Sequence, residues 1–278
     1  MKISQVIEEI KNLRHVTVRE NIRDTVKFGD PEQECTGIAL TCCATVDVIK
    51  QAAAQGCNFI IGHESAFWGD EFDPDQEFGG DEILAKKRGL LEENGIVLWR
   101  YHDYMHGGGG KPGTVSVSEN IDYIFYGLMK MLEWEPYVVG DKKKPLLYEI
   151  PETTVEALCE ELTRKLGLGG LRIVGSTTGK VSRIYVCEHV MGRFDAQIIR
   201  KAADCDVLIP LEIVDWTASA YVRDAVQCGK VKTILEMGHF NTEEAGMKYM
   251  AEWLPTVLTE EVPVHFIQSG DSFSYYVR

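Results

Sequence analysis

The stretch Thr36–Glu64, TGIALTCCATVDVIKQAAAQGCNFIIGHE, decides the fold of this chain. Within it, Gly37–Cys43 is strand-like, Thr45–Gln55 has the apolar spacing of a helix, and the run that ends at Ile61 is again strand-like. Two strands joined by a helix form a βαβ unit, in which the strands are parallel and the crossover is right-handed. The sequence therefore predicts an α/β fold.

The second strand of this unit ends abruptly at Gly62-His63-Glu64, where two side chains able to bind metals are adjacent. In a doubly wound sheet, ligand groups lie at the carboxyl ends of the strands. Successive side chains of a strand point to opposite faces, so His63 and Glu64 can share one site only where the pleat has stopped. Gly62 allows the backbone to turn at that point.

The composition is that of an ordinary globular protein. The chain has 278 residues, of which 45% are hydrophobic and 26% are charged, and its net charge is −14. This length allows one large domain or two modest ones. The negative charge disfavours binding to nucleic acids and to anionic membrane surfaces. No apolar run approaches the roughly 18 residues of a membrane span.

The N-terminus and the cysteines predict a cytoplasmic protein. The first residues, MKISQVIEEIKNL, carry apolar side chains at helical spacing, which indicates an amphipathic helix and not a signal peptide. None of the eight cysteines forms a CxxC motif, and several lie within apolar strand-like runs. Such thiols behave as small buried hydrophobic groups, so we expect them to be reduced.

The βα alternation resumes in the second half of the chain and repeats the opening pattern. Ile49–Ala53 leads to the strand Cys57–Glu64, and Ile199–Ala203 leads in the same way to Cys205–Glu212. The two stretches match with a two-residue gap, which favours an internal duplication. In the second copy Leu211 replaces the histidine, so only the first copy keeps both candidate ligands.

Two further strand ends carry candidate ligands. The strand IVLWRYHD leads into His102, Asp103 and His106, and the strand VKTILEM ends at Gly238-His239. Asn241 or Thr242 is expected to cap the helix that follows, with Glu244 completing a capping box and Glu243 in the first helical turn. A helix dipole favours the ionised form of a carboxylate placed there. His239 and Glu243 therefore form a candidate ligand pair.

These three regions resemble motifs of the Nif-three-like proteins, often named GTP cyclohydrolase I type 2 homologues. The stretch LTCCATVDVIKQAAAQGCNFIIGHESAFW looks like the family's strand, helix and His-His-Pro motif. HDYMHGG occupies the place of a His-x-x-x-Asp motif, and EMGHFNTEEAG resembles a Gly-His-x-x-Thr-Glu motif. The likeness covers nearly the whole chain. It implies two intertwined, duplicated α/β halves with mixed β-sheets flanked by helices, and a dinuclear metal centre.

The resemblance also implies the ligands. Carried over position by position, the metal ligands are His63, Glu64, His106, His239 and Glu243. Glu64 stands where the family has a second histidine, and His106 stands where it has aspartate. The two departures compensate each other, since three imidazoles and two carboxylates remain. The exchange therefore predicts a rearranged site that still binds metal.

Three other residues are assigned to proton transfer or to substrate contact. His102 corresponds to the first histidine of the His-x-x-x-Asp motif, where it would support the ligands or face substrate. Asp103 is the alternative to His106 as a ligand. His189 lies in CEHVMG, where relatives have a glycine-rich segment. We expect His102, Asp103 or His189 to act as the proton shuttle.

The function that follows from these residues is metal-dependent hydrolysis. Three imidazoles and two carboxylates suit two divalent ions of Zn, Fe, Mn, Co or Ni better than Ca or Mg. The expected substrate is a small anionic or nucleotide-like molecule, and the expected chemistry is GTP cyclohydrolase-like or a related C–N or amide hydrolysis. The alternative is a non-catalytic hexameric protein with a metal-binding, regulatory or metal-handling role.

The resemblance also implies assembly and domain organisation. Members of the family are typically toroidal hexamers, so we expect a homohexamer arranged as a trimer of dimers. Residues 1–118 and 231–278 are expected to form the half that holds the metals, and residues 119–230 the second half.

Overall fold

The computed structural model describes residues 1–13, 22–69, 73–107, 121–188 and 195–276. The strands are β1 (Val26–Phe28), β2 (Ile38–Thr41), β3 (Phe59–Gly62), β4 (Val97–Arg100), β5 (Leu147–Thr154), β6 (Arg172–Gly175), β7 (Lys180–Cys187), β8 (Val207–Pro210), β9 (Thr233–Glu236) and β10 (Val264–Phe266). The α-helices are α1 (Ile3–Asn12), α2 (Val46–Ala54), α3 (Pro74–Phe78), α4 (Glu82–Glu93), α5 (Tyr123–Leu132), α6 (Val155–Leu166), α7 (Asp195–Asp204), α8 (Ala218–Gln227) and α9 (His239–Trp253).

The chain forms two compact units, and each contains two segments of sequence. The first unit is Met1–Gly127 with Gly246–Ser269, and the second is Leu128–Ala245 with Gly270–Arg278. These bounds differ from the expected halves, which assigned residues 231–278 to the first. Strand β9 pairs with β8 and β6, so it belongs to the sheet of the second unit.

The first unit is built on a mixed sheet with the strand order β1-β4-β3-β2-β10. Strands β10, β2, β3 and β4 run parallel, and β1 is antiparallel to β4. The predicted βαβ unit is confirmed as β2-α2-β3. Helix α2 begins after Thr45, whose hydroxyl oxygen accepts the Val48 N–H at 3.3 Å, as expected for an N-cap.

Every residue of β2, β3 and β4 is buried, because helices cover both faces of this sheet. Phe59 and Ile61 face one hydrophobic cluster, which includes the buried side of α1. Ile60, between them, faces the other cluster, with residues of α2 and α4. This two-residue alternation produces a three-layer arrangement in which the sheet lies between helices.

The second unit has a mixed sheet with the order β5-β7-β8-β9-β6. Strands β7, β8 and β9 are parallel, while β5 and β6 pair antiparallel at the two edges. Buried residues of α7 and α8 pack with Leu208 and Ile234 on one face of the sheet. Helix α6 covers Val155–Leu166, the bounds that its apolar spacing predicts.

The two units repeat one order of elements, which confirms the duplicated α/β fold. The first runs α1-β1-β2-α2-β3-α4-β4, with the short α3 inserted before α4, and the second runs α6-β6-β7-α7-β8-α8-β9. In both sheets the first of these strands lies at an edge, antiparallel to the last one. The central strand β3 therefore corresponds to β8, and β4 corresponds to β9.

The burial of several cysteines and the length and polarity of the helices agree with what the sequence predicts. Cys42, Cys57, Cys187 and Cys205 are buried, and the described residues contain no disulfide. Within the described part of the chain, each helix is too short or too polar to cross a bilayer.

Gly175 and Gly229 provide a test of how tightly the second sheet is packed. Both have positive φ, 98° and 80°, and an alanine in that region costs about 1 kcal/mol. A Cβ at Gly175 would collide with the Lys232 carbonyl oxygen and lie 2.6 Å from Val222 Cγ1, whereas at Gly229 it would meet nothing within 4 Å. We expect Gly175→Ala to lower the free energy of unfolding by about 3 kcal/mol and Gly229→Ala by about 1 kcal/mol. Urea denaturation measures both, and equal losses would contradict the packing at Gly175.

Candidate metal centre

The end of β3 presents His63 and Glu64 where the regular pleat has stopped. The His63 N–H lies 3.2 Å from the Thr41 carbonyl oxygen and 3.1 Å from that of Cys42, and the Glu64 N–H donates to the same Cys42 oxygen at 2.8 Å. Two successive N–H groups thus point towards the end of β2, a direction they could not share in a pleated strand. One donor atom of His63 lies within 4.8 Å of one of Glu64.

The buried guanidinium of Arg100, the last residue of β4, holds this turn in place. Its Nε donates to the His63 carbonyl oxygen at 2.9 Å, and its terminal nitrogen donates to a Glu64 carboxylate oxygen at 3.1 Å. The side chains of Arg100 and Glu64 are only 6% and 15% exposed, so the ion pair is largely shielded from water. Burial lowers the pKa of Arg100, and the Glu64 charge opposes that shift.

The turn after β4 is organised by a buried carboxylate from the segment before β1. Asp24 accepts the N–H groups of His102 at 2.9 Å, Asp103 at 2.7 Å and Tyr104 at 3.3 Å. Burial raises the pKa of Asp24 to about 6, although these hydrogen bonds act in the opposite direction. The carboxylate satisfies three consecutive backbone donors, and it fixes the start of the turn that carries His102 and His106.

Three imidazoles converge at this edge of the first unit. The rings of His63 and His102 are stacked with centroids 4.6 Å apart, and the ring of His106 lies 5.1 Å from His63 and 4.9 Å from His102. One ring nitrogen from each lies within 4.8 Å of the others. His63 is fully buried, and the other two are partly exposed.

Each of these imidazoles has its Nδ1 next to an acceptor oxygen. His63 Nδ1 lies 3.1 Å from the Tyr101 carbonyl, His102 Nδ1 lies 2.9 Å from Asp103 Oδ1, and His106 Nδ1 lies 3.2 Å from Asp122 Oδ2. Metal-binding histidines commonly donate one ring N–H to such an acceptor and coordinate through the other nitrogen. The donor set therefore fits a borderline divalent ion, with Nε2 of each ring as the atom for coordination or for proton transfer.

The surroundings of His102 favour its neutral form, which is the form that binds metal. Burial is the main cause that lowers the pKa of His102 to about 4; the hydrogen bond with Asp103 opposes this shift, and the neighbouring His63 and His106 add to it. Burial also disfavours the ionised form of Asp103. The hydrogen bonds from His102 and from the Arg23 backbone outweigh it and hold the pKa of Asp103 well below its usual range.

Asp122 connects His106 to the start of α5. Its second carboxylate oxygen accepts the N–H groups of Ile124 at 3.2 Å and Phe125 at 3.3 Å, so Asp122 caps the helix. The same buried side chain faces His106 Nδ1. A helix cap thus orients one of the three imidazoles.

The second unit has its own group of donors where β9 leads into α9. His239 Nδ1 lies 3.3 Å from Glu212 Oε2, and His239 Nε2 lies 3.0 Å from Glu243 Oε2. Glu243 is buried, with a side chain 2% exposed. One imidazole thus lies between two carboxylates, one from the end of β8 and one from α9.

The expected capping of α9 is wrong. The helix begins at His239, so Asn241 and Thr242 lie inside its first turn and donate to the carbonyl oxygens of Met237 and Gly238. Gly238 precedes the helix with φ +98°, which glycine adopts without strain. Glu243 follows His239 by one helical turn, and this spacing brings the two side chains together.

The sequence-predicted residues are found in both units. His63, Glu64, His102, Asp103 and His106 lie at one edge of the first unit, and His239 and Glu243 lie together in the second. His189 lies outside the described residues. Asp103 lies beside His102 Nδ1 and Arg23, whereas the ring of His106 lies in the histidine cluster.

Sequence reasoning missed the role of Glu212. Glu212 lies in the second copy at the position that Glu64 occupies in the first. Leu211 precedes it where the first copy has His63, so the adjacent pair of candidate ligands is missing there. The repeat could have identified it, since β8 corresponds to β3 and ends at the same edge of its sheet.

The family model for Duf34/NIF3 (NGG1p interacting factor 3) matches residues 1–272. The chain belongs to this family. Two curated relatives are each named GTP cyclohydrolase 1 type 2 homolog. The protein of Clostridium perfringens is 25% identical over 87% of this chain and 87% of its own length. The protein of Clostridium acetobutylicum is 22% identical over 93% of this chain and 91% of its own length.

Solved structures share the fold. A hypothetical protein of Staphylococcus aureus has a TM-score of 0.70 at 15% identity, and the match covers 99% of both chains. A NIF3-related protein of Bacillus cereus has a TM-score of 0.69 at 14% identity, again over 99% of both chains. The predicted family and fold class are thus confirmed.

The double role of Asp122 leads to a prediction about metal affinity. Asp122→Ala removes a helix cap and the acceptor at His106 Nδ1, whereas Thr154→Ala removes only the cap of α6, where Thr154 accepts the Ala157 N–H. We expect each substitution to lower the free energy of unfolding by about 1 kcal/mol. Only Asp122→Ala should weaken Zn²⁺ binding, by about 10- to 100-fold. Competition with a chromogenic chelator measures the affinity, and an equal affinity in both variants would exclude the orienting role of Asp122.

Proposed function

We propose that this protein is a metal-dependent hydrolase with a dinuclear centre, acting on a small anionic or nucleotide-like substrate. The observation that carries the proposal is the convergence of His63, His102 and His106, each with Nδ1 next to an acceptor oxygen. Imidazoles arranged in this way are typical of metal ligands. Membership in the Duf34/NIF3 family and the names of its curated relatives support the same proposal.

The proposed ligands are His63, Glu64, His106, His239 and Glu243. These are the five residues that the motif resemblance implies for a dinuclear centre. Imidazole and carboxylate donors suit two ions of Zn, Fe, Mn, Co or Ni. Two divalent cations outweigh two carboxylates, so the site would attract an anionic or carbonyl-bearing substrate.

When bound, such a centre supplies an activated water near neutral pH and a Lewis acid. The chain's own residues provide proton transfer and orientation. Asp103 holds the proton on His102 Nδ1, and burial keeps the ring neutral down to about pH 4. His102 Nε2 could then accept a proton from water. Nε2 cannot bind a metal and accept a proton at the same time. In the proposed site His63 and His106 are metal ligands, and His102 transfers protons.

Two broader proposals accompany the reaction. The resemblance to the Nif-three-like proteins, which are typically toroidal hexamers, supports a homohexamer as the working form. The eight thiols, none of which forms a disulfide in the described part of the chain, support a cytoplasmic location.

The metal content of purified variants tests the ligand set. We expect about two divalent ions per chain in protein prepared without a histidine tag, and none in the double variant His239→Ala/Glu243→Ala. His265→Ala is the control, because His265 lies in β10, away from the proposed ligands. Elemental analysis measures all three. Full metal content in the double variant would exclude these residues as ligands.

Removal and replacement of the metal tests catalysis. We expect hydrolysis of GTP or of a related nucleotide to stop after chelation and to return with Zn²⁺, Mn²⁺ or Fe²⁺. His102→Gln should lower kcat about 100-fold, within the range of general acid–base catalysis, while metal content stays the same. Turnover is followed by chromatographic separation of products. Tight metal binding with no turnover of any substrate would favour the metal-handling function instead.

A further inference from the structure

A short segment near the C-terminus lies against the start of α9, where the candidate ligands of the second unit are found. Residues Gly246–Ser269 belong to the first unit, and the chain returns to the second unit at Gly270. Residues 271–275, DSFSY, are called the return segment here. They contact the loop after α6 and the first turn of α9, both of which belong to the second unit.

Asp271 connects the return segment to both of these parts. Its Oδ1 accepts the side-chain N–H of Asn241 at 2.9 Å and the backbone N–H of Phe273 at 3.0 Å. Its Oδ2 accepts the Gly169 N–H at 3.0 Å. Burial opposes the ionisation of this carboxyl group, but the hydrogen bonds that it accepts outweigh burial and hold the pKa of Asp271 below its usual value. The carboxylate therefore joins the loop after α6 to α9.

Asn241 extends this connection to the backbone just before His239. Its side-chain nitrogen donates to Asp271 Oδ1 and, at 2.7 Å, to the Met237 carbonyl oxygen. Asn241 is only 4% exposed. Removing an acceptor from a buried donor is costly, so both hydrogen bonds are expected to persist. One buried amide thus links Asp271 to the residue two positions before His239.

Phe273 contacts the residue directly before His239. A Cβ built on Gly238 would lie 2.5 Å from Phe273 Cε2, so the phenyl ring occupies the space that a side chain at position 238 would need. Gly238 has φ +98°, a conformation that glycine adopts without strain. The ring therefore packs directly on the backbone from which α9 begins.

Tyr275 anchors the other end of the return segment. Its hydroxyl group donates to the Gly170 carbonyl oxygen at 2.8 Å. Its ring lies so close to Gly169 and Gly170 that a Cβ on either glycine would approach it to within 3.2 Å. The segment is thus attached to the loop after α6 at Asp271 and at Tyr275, and it contacts α9 between them.

These contacts bear on the geometry of the candidate ligands. His239 Nδ1 lies 3.3 Å from Glu212 Oε2, and His239 Nε2 lies 3.0 Å from Glu243 Oε2. His239 and Glu243 belong to the first turns of α9, whereas Glu212 follows β8. A shift of the start of α9 would therefore move His239 and Glu243 relative to Glu212. Metal affinity depends on the groups that orient the ligands.

From these observations we propose that Asp271 and Phe273 are positioning residues, which hold the start of α9 so that His239 and Glu243 keep a geometry suited to a divalent ion. The inference rests on the proposed function, since it takes His239 and Glu243 as metal ligands. It adds that their geometry is set by a part of the chain that lies outside the ligand motifs.

The Zn²⁺ affinity of purified variants tests this role. We expect Asp271→Ala and Phe273→Ala each to weaken Zn²⁺ binding about tenfold, the lower end of the effect of removing a group that supports a metal ligand. Asp271→Asn should weaken it less than about threefold, because its amide oxygen can still accept the N–H groups of Asn241 and Phe273. Competition with a chromogenic chelator measures the affinity.

Asp206→Ala is the matched control, because Asp206 also accepts two backbone N–H groups in the second unit. These belong to Ser182, at 2.9 Å, and to Arg183, at 3.0 Å. Asp206 precedes β8, whereas Glu212 follows that strand, so the control lies at the opposite end of the sheet. We expect urea denaturation to show similar losses of stability in Asp206→Ala and Asp271→Ala, while Asp206→Ala keeps the Zn²⁺ affinity of the wild type. Equal Zn²⁺ affinity in these two variants would overturn the inference.

Hydrogen exchange in the metal-free protein provides a measurement that does not depend on the identity of the ligands. Asp271→Ala should raise the exchange rates of the amides of residues 242–245 about fivefold, which corresponds to the net contribution of one hydrogen bond. Asp206→Ala should leave these rates unchanged. Unchanged exchange in Asp271→Ala would show that the return segment does not fix the start of α9, and the inference would be wrong.

The positioning role and the proposed ligand set fail in different ways. If His239→Ala/Glu243→Ala loses its metal but Asp271→Ala and Phe273→Ala bind Zn²⁺ as the wild type does, the ligands stand and the positioning role fails. If the double variant keeps its full metal content, the ligand set fails. The positioning role then fails as well, even where hydrogen exchange responds to Asp271→Ala.

Discussion

A buried guanidinium holds together the two strand ends on which the first unit's site is built. Arg100 is the last residue of β4, yet it binds the backbone of His63 and the side chain of Glu64 at the end of β3. A buried charge is costly unless it is paired, and removing one partner of such a pair typically costs several kcal/mol. Glu64 therefore has a structural role in addition to any role at a metal. A histidine at this position could not provide a permanent negative charge to Arg100.

The neighbouring turn depends on similar interactions between a buried carboxylate and backbone N–H groups. Asp24 holds three successive N–H groups at the start of the turn after β4, and Asp122 holds the first N–H groups of α5. The two carboxylates thus fix the beginning and the end of the segment that carries His102 and His106. The imidazoles converge where Asp24 holds the backbone at His102 and Asp122 faces the ring of His106.

The fold was predictable because each helix and strand shows its own apolar pattern within a short stretch of sequence. Apolar spacing identified β2, α2 and β3, the bounds of α6, and the repeated order of elements, since burial on a helix or a strand leaves a periodic pattern. The start of α9 is difficult to predict because Asn241 and Thr242 resemble caps, whereas the helix begins at His239, directly after Gly238, which has no side chain. Capping motifs alone could not distinguish these two arrangements.

The candidate site was predictable only where its residues lie in motifs. His63, His106, His239 and Glu243 follow strands and could be found from the sequence. The partners that support these residues could not be found in this way. The Tyr101 carbonyl belongs to the backbone, and Asp122 lies 16 residues after His106, outside any motif. Glu212 is the exception. The repeat aligns Glu212 with Glu64, but Leu211 stands where the first copy has His63.

The duplication has produced two unequal sets of donor atoms from one fold. The first unit brings together three imidazoles, and the second places one imidazole between two carboxylates. Nitrogen donors favour ions late in the Irving–Williams order, whereas carboxylate oxygens also accept Mn²⁺ and Mg²⁺. Within the proposed dinuclear centre, an ion bound mainly by imidazoles would therefore differ in identity and in rate of exchange from one bound mainly by carboxylates. A fold repeated within one chain, unlike a symmetric dimer of identical chains, allows such a division of metal preference to be inherited.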